Sequence, residues 1–180
     1  MAFVPRSKDV GITIAATATA PETAAGAFAD LYRATFPDVY AYVATIVRDR
    51  TAAEDVTAQA YERAYRKRRS FDRNRGNERA WIFGIARNAA LDELRRKKRT
   101  ATLVAEPPDE VVMAHDETAV RRATVRAALE KLDARDRELI ALKFHGDLSN
   151  AEVAKVLGLS ESNAGTRLHR AVEKLREACA

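Results

Sequence analysis

The stretch Leu148–Arg176, LSNAEVAKVLGLSESNAGTRLHRAVEKLR, decides how the chain reads. Ser149-Asn150-Ala151-Glu152 has the form of a capping box, in which a Ser and a Glu three residues on satisfy two free N–H groups at a helix start. A short helix follows, with Val153, Val156 and Leu157 on one side. Gly158 stands where a helix end favours a left-handed residue, and apolar Leu159 comes next. Ser160 reads as a second N-cap, and a longer helix opens at Glu161.

In that longer helix Ala164, Leu168, Ala171, Val172 and Leu175 recur at offsets 4, 7, 8 and 11, which is one helical face. The opposite face carries Ser162, Thr166, His169 and Arg170, with Asn163, Arg167 and Lys174 on its flank. A short helix, a Gly turn and a longer helix with a polar, basic outer face make a helix-turn-helix. The second helix of such a unit enters the DNA major groove. The same residues, taken alone, also fit a plain helical hairpin on a bundle surface.

The 180 residues suffice for one domain or two small ones, and a hydrophobic content of 47% allows a packed core. Aromatics are few, Ala and Leu are plentiful, and only 7 Gly and 5 Pro interrupt, so the composition leans helical. Cys179 is alone, which excludes a disulfide framework or a cysteine metal site. The histidines are too scattered for zinc spacing. The net charge is +5, with basic residues concentrated in 31–99 and acidic ones prevailing in 100–124. That alternation suits two modules and a linker. A basic surface suits a polyanion, because each neutralised phosphate releases counterions.

Residues 1–25 are rich in Ala and Thr and show no period. Arg6, Lys8 and the apolar patch Ile12–Ala16 faintly resemble a signal peptide, but the patch is short and broken by threonines. No stretch approaches the length of a membrane span. The expectation is a disordered extension on a cytoplasmic chain without membrane insertion. A helical pattern runs from Ala27 to Val47 through Phe28, Leu31, Tyr32, Val39, Tyr42, Val43 and Ile46, and Pro37 predicts a break or bend. In the next helix, about Ala52–Arg68, Ala53, Val56, Ala60 and Ala64 make a core stripe. Asp55, Gln59, Glu62 and Arg66 make a polar stripe, a spacing that a merely solvated face would share.

Ser70–Arg79 is a loop by composition. Ala80–Lys98 reads as one long helix buried on several sides, leaving a strip of Arg87, Asn88 and Arg95. Its end, Arg95-Arg96-Lys97-Lys98-Arg99, carries more charge than a helix C-terminus needs and suits a nucleic acid backbone. Residues 100–119, with Pro107-Pro108 and acidic side chains, read as a linker. A new amphipathic helix starts near Val120, and Asp133 caps the helix of Leu139, Ile140, Leu142 and Phe144. No phosphate loop, nucleophile elbow or metal-ligand cluster stands in the chain, so no catalytic residue, metal or cofactor is expected.

At this point the chain resembles the extracytoplasmic-function (ECF, group IV) sigma factors of the sigma-70 class, from about Phe28 to Glu177 apart from the linker. One family segment is matched by Ala53-Glu54-Asp55-Val56 and Tyr61-Glu62-Arg63-Ala64-Tyr65. The most specific is matched by Arg79-Ala80-Trp81-Ile82-Phe83-Gly84-Ile85-Ala86-Arg87-Asn88-Ala89-Ala90-Leu91-Asp92-Glu93-Leu94-Arg95-Arg96. A third is matched by Leu132, Arg137, Glu152-Val153-Ala154-Lys155-Val156-Leu157-Gly158 and Arg167-Leu168-His169-Arg170-Ala171. Two positions depart from the pattern. Ala58 stands where many members have Gln, with Gln59 one further on, and Gly165 replaces a basic residue at a cost of about 1 kcal/mol in helix propensity.

The resemblance implies an all-α fold of two small helical domains joined by a flexible linker. Residues 26–99 would be region 2, which binds core RNA polymerase and the −10 element. Residues 100–119 would be the acidic linker, and 120–180 region 4, whose helix-turn-helix binds the −35 element. The implied partners are core RNA polymerase (its β and β′ subunits), promoter DNA and an anti-sigma factor. The polymerase would meet Asp55, Gln59, Glu62 and Arg66. A flipped −10 base would be held by the loop and the helix start. The residues assigned to −10 DNA are Arg73, Asn74, Arg75, Asn77, Trp81, Arg87, Asn88 and Arg95, although for Trp81 so apolar a helix favours a core place. At the −35 element they are Ser162, Asn163, Thr166, Arg167, His169, Arg170 and Lys174. Of these, Asn163, Thr166 and Arg170 are assigned to bases, and Arg167 and Lys174 to phosphates or intradomain ion pairs. The runner-up is a stand-alone helix-turn-helix regulator binding an operator, which would need neither the Trp81–Arg96 helix nor the linker.

Overall fold

The computed structural model describes residues 24–72, 76–101 and 117–179. The predicted extension lies outside them up to residue 23, as do Arg73, Asn74, Arg75 and most of the predicted linker. The described residues form α-helices and one short 3-10 turn. An N-terminal unit holds α1 (Ala24–Val47), α2 (Arg50–Lys67) and α3 (Glu78–Ala101). A C-terminal unit holds α4 (Glu117–Lys131), α5 (Ala134–Phe144), α6 (Asn150–Leu157) and α7 (Glu161–Cys179).

Helix α1 runs without interruption through Pro37, where the sequence predicts a break or bend. Proline removes the hydrogen bond to the carbonyl four residues back, that of Arg33. Both Pro37 and Arg33 are exposed, so water can satisfy that carbonyl. On the opposite side Thr35 is buried, donates to the Leu31 carbonyl at 2.6 Å and shares a hydrogen bond with the Tyr61 hydroxyl at 2.8 Å. A tight turn then reverses the chain. Arg48 takes the left-handed conformation (φ 57), and the Asp49 carboxylate accepts the Ala52 N–H at 2.9 Å to start α2. A cap of this kind stabilises a helix by about 1 kcal/mol.

The N-terminal unit packs small residues against large ones. Ala53, Ala60 and Ala64 of α2 and Ala86, Ala89 and Ala90 of α3 are buried, which lets the helices approach closely around Val39, Tyr42, Val43, Ile82 and Phe83. Tyr42 and Phe83 meet edge to face at 5.3 Å. Burial of several faces of α3 follows from the apolar run that the sequence shows there.

The C-terminal unit is smaller and relies on caps. Asp133 accepts the N–H groups of Arg135 and Asp136, each at 2.9 Å, to open α5. The Arg137 guanidinium reaches back to the carbonyls of Leu129 and Leu132, at 3.1 and 3.0 Å, and closes α4. Ser149 and Glu152 form the full capping box of α6. Gly158 is left-handed (φ 68), and the Leu159 N–H bonds the Ala154 carbonyl at 2.8 Å, a Schellman closure. Ser160 accepts the Asn163 N–H at 3.3 Å and opens α7. The helices α3 and α4 extend two and three residues into the stretch that reads as linker, to Ala101 and from Glu117.

The two units are packed together. Helix α5 lies against α1 and α6 against α3, and Leu139, Leu142, Leu148 and Val153 join the buried cluster of Val39, Tyr42 and Phe83.

Candidate nucleic-acid interface

Helix α7 presents two opposite faces. Ala164, Leu168 and Ala171 are buried, and Val172 and Leu175 are half-buried against the rest of the unit. Ser162, Asn163, Thr166, His169 and Arg170 are all exposed in the first three turns. Side chains there reach base edges when such a helix lies in the major groove. Arg167 is half-buried. Lys174 is exposed but engaged: its ammonium bonds the Asp136 carboxylate at 2.5 Å, and that carboxylate is only 10% exposed. His169 faces Glu173 one turn on, at 3.5 Å. Gly165 leaves the helix unbroken, and a side chain there would touch the Asn150 amide at an ordinary 3.4 Å. Space therefore does not dictate the glycine.

On α2 the side chains of Asp55, Gln59, Glu62 and Arg66 share an exposed face, opposite the buried Ala53, Val56, Ala60 and Ala64. Arg66 and Glu62 pair at 2.6 Å. Ala58 is exposed on the same helix. The stripe borders α3, because Arg63 bonds Asp92 at 3.3 Å and the Arg96 guanidinium lies within electrostatic reach of Asp55.

The surface around the start of α3 is more complicated. Asn77 is exposed, and its side-chain oxygen accepts the Arg79 N–H at 2.9 Å while its carbonyl accepts the Trp81 N–H at 3.0 Å. It thus caps α3, and its side chain lies beside the Glu152 carboxylate of α6, helping to hold that carboxyl down. Trp81 is half-buried, packs on the core and meets the Phe71 ring at 5.0 Å. Asn88 is exposed. Arg87 is largely covered and bonds the Glu138 carboxylate of α5 at 2.7 Å. The terminal basic run is partly neutralised within the unit: Arg95 pairs with Asp92 at 3.1 Å, Arg96 with Glu93 at 2.7 Å, and Lys97 with Asp49.

The sequence reading puts Arg79 in the Ser70–Arg79 loop, whose arginines would face water or phosphate, and assigns no role to Asp38 or Glu138; the structure instead places Arg79 in α3 with its guanidinium turned onto the protein. Arg79 bonds Asp38 of α1 at 2.5 Å, and across the units it donates to the carbonyls of Gly146 and His145 at 2.5 and 3.1 Å. Glu138 also accepts from the Tyr42 hydroxyl at 3.4 Å. Burial, with Glu138 beside it, pushes Tyr42 well above the ordinary tyrosine range. Burial likewise pushes His145 below the ordinary histidine value, with Asp38 opposing. No local sequence signal points to these residues, since their partners lie dozens of positions away.

Among the described residues no group of His, Cys, Asp and Glu could hold a metal ion. No described helix is long and apolar enough to cross a membrane.

Comparison with known proteins gives this geometry a family. Residues 31–100 match the family Sigma-70 region 2, and residues 122–175 match Sigma-70, region 4. The ECF RNA polymerase sigma factor SigX of Bacillus subtilis is 30% identical over 157 residues, covering 82% of this chain and 80% of its own. The ECF RNA polymerase sigma factor SigL of Mycobacterium tuberculosis is 31% identical over 166 residues, covering 85% and 91%. The sigma factor RpoE from Bartonella quintana, solved with the anti-sigma factor NepR, shares the fold with a TM-score of 0.74 at 23% identity, over 84% of this chain and 96% of that one. CnrH, solved with the cytosolic domain of CnrY, gives a TM-score of 0.62 at 29% identity, over 86% and 90%. Both regions are matched in order, on the helices described above, and the chain belongs to the ECF RNA polymerase sigma factors of the sigma-70 class.

Proposed function

We propose that this sigma factor, which directs RNA polymerase to promoters, divides that task among three surfaces of its own. Asp55, Gln59, Glu62 and Arg66 of α2 dock core polymerase on its β and β′ subunits. The start and outer strip of α3 hold the −10 strand, through Asn77, Arg87, Asn88 and Arg95 together with Arg73, Asn74 and Arg75 of the preceding loop. Trp81 supports that surface from its packed position on Phe71 rather than as an open base platform. In region 4, Asn163, Thr166 and Arg170 read −35 base edges, with Ser162, Arg167 and His169 beside them. Lys174 serves the domain through Asp136. The chain has no catalytic activity of its own, takes no cofactor and works in the cytoplasm. It is held in check by an anti-sigma factor, as RpoE and CnrH are each found with a partner.

The observation that carries the docking assignment is the exposed polar stripe of α2 standing opposite a fully buried one. Charges of the wrong sign across an interface cost several kcal/mol. The paired change Asp55→Arg and Glu62→Arg is therefore expected to abolish retention on immobilised core polymerase while leaving helicity unchanged. Retention equal to that of the unaltered chain would remove the docking assignment.

A further inference from the structure

Gly165 leaves a gap beside the exposed face of α7, and an amide from the neighbouring helix lies against it. Ser162, Gly165 and His169 stand three and four residues apart, a spacing that puts them on one side of a helix. Ser162 and His169 are exposed there, whereas Gly165 offers only backbone. A side chain started at Gly165 would place its Cβ 3.4 Å from the Nδ2 of Asn150 on α6. Asn150 is exposed in the first turn of α6 and takes no part in its cap. The Ser149 hydroxyl and the Glu152 carboxylate satisfy each other and their own two backbone N–H groups. The Asn150 side chain makes no hydrogen bond among the described residues, so its amide keeps both donors for a molecule outside the protein.

Position says which molecule. Gly165 lies at the border of α7, between the buried Ala164 and Leu168 and the exposed Thr166 and His169. When a recognition helix lies in the major groove, its outer face meets base edges and the preceding helix crosses the sugar-phosphate backbone. An amide carried by α6 at the border of α7 therefore meets the wall of the groove, and asparagine is among the side chains that hold phosphate oxygens. We infer that Asn150 is a backbone anchor of region 4, its Nδ2 donating to a phosphate oxygen beside the −35 element through the space that Gly165 leaves open. This rests on the −35 assignment above. The anchor is neutral, so it fixes register without displacing a counterion. A cation reaching phosphate from position 165 would instead steepen the salt dependence.

The test assembles the full chain with core polymerase and uses a duplex that this holoenzyme selects from a pool randomised over the −35 stretch. Asn150→Ala is expected to weaken binding of that duplex about three- to tenfold. The ranking of sequences in the pool and the slope of log affinity against log salt should both stay as they were. Asn150→Asp sets a carboxylate against phosphate and should weaken binding further. A carboxylate favours a helix start, so its melting temperature should not fall, and its loss cannot come from unfolding. Gly165→Arg is expected to steepen the salt slope by about 0.9 and, by competing for the same space, to shrink the effect of Asn150→Ala to less than about twofold. Unchanged affinity in Asn150→Ala overturns the inference. So does a change of preference at one base pair, which would make Asn150 a base reader, or an undiminished effect in the Gly165→Arg background. Arg170→Ala is measured beside these. A loss there with none in Asn150→Ala removes the anchor and leaves the −35 assignment standing, and no loss in either removes both.

Discussion

The two helices assigned to promoter DNA, α3 and α7, present their polar residues in opposite ways. Helix α7 is apolar on one face only, and the residues opposite that face stand in solvent. Helix α3 is buried on several sides, and its covered arginines are drawn into contacts within the protein: Arg79 to Asp38 and the end of α5, and Arg87 to Glu138. The difference comes from hydrophobic coverage. A polar side chain on a half-covered helix can stay hydrated, whereas one on a nearly surrounded helix must find a partner or leave a charge short of hydrogen bonds. The polar face of α7 is thus open, while Arg79 and Arg87 of α3 already have partners within the protein.

Removing Arg79 should break that contrast most severely. Its guanidinium joins a carboxylate and two carbonyls on separate elements, and hydrogen bonds to charged groups contribute about 1.5–3 kcal/mol each. Arg79→Ala is expected to cost about 2–3 kcal/mol in urea unfolding. Arg170→Ala on exposed α7 should stay within about 0.5 kcal/mol. Equal losses would mean that α3 is no more tied down than α7.

Between the arginine and the lysine of α7 the contrast narrows to a single helix. Arg170→Ala is expected to cost about 1–3 kcal/mol in −35 binding and to relax preference at one or two base pairs. Lys174 is committed to Asp136, so Lys174→Ala should lower the melting temperature and leave the salt dependence of DNA binding as it was. A promoter library measured at two salt concentrations distinguishes them. If Arg170→Ala weakens every promoter equally, Arg170 is a phosphate clamp. If Lys174→Ala flattens the salt dependence, Lys174 leaves Asp136 when DNA arrives.

What was legible in the sequence was local. The Ser149–Glu152 box, the left-handed Gly158 and the Ser160 cap each act within five residues, and all three stand where the spacing puts them. The wide apolar circumference of α3 likewise foretold its burial. The continuity of α1 through Pro37 was not legible, because it depends on which side of the helix faces water. The seam between the two units was invisible for a stronger reason. Arg79 meets Gly146 across 67 positions, and nothing near either residue records the other. Neutralisation of the basic run lies between these cases: Asp92 and Glu93 stand three residues before Arg95 and Arg96, a helical spacing that pairs them, while the Asp49 that meets Lys97 belongs to another helix.

The smallest effect concerns how the two units meet acid. Among the described residues the N-terminal unit has one such cap, Asp49, whose carboxyl is held down first by the Ala52 N–H and then by Lys97. The described part of the C-terminal unit has two. Asp133 is held down chiefly by the Asp136 N–H. For Glu152, burial raises the carboxyl, but the Ser149 N–H and hydroxyl and the Asn77 side chain together outweigh it, and the net shift is downward. A carboxyl lowered on folding contributes stability above its unfolded value and loses it as pH falls through the folded one. The unfolded values are about 3.9 for Asp and 4.3 for Glu, so the loss begins near pH 4 and grows below it. With two such caps on its shorter helices, and a smaller core to hold them, the C-terminal unit should loosen first. Helicity should then fall before the fluorescence of Trp81, which reports the N-terminal unit. Asn also caps well without titrating, so Asp133→Asn should remain within a few tenths of a kcal/mol of the unaltered chain at neutral pH and shift the early helicity loss to lower pH. If the acid profile of Asp133→Asn overlays the original, or Trp81 responds first, the caps do not set the order in which the two units give way.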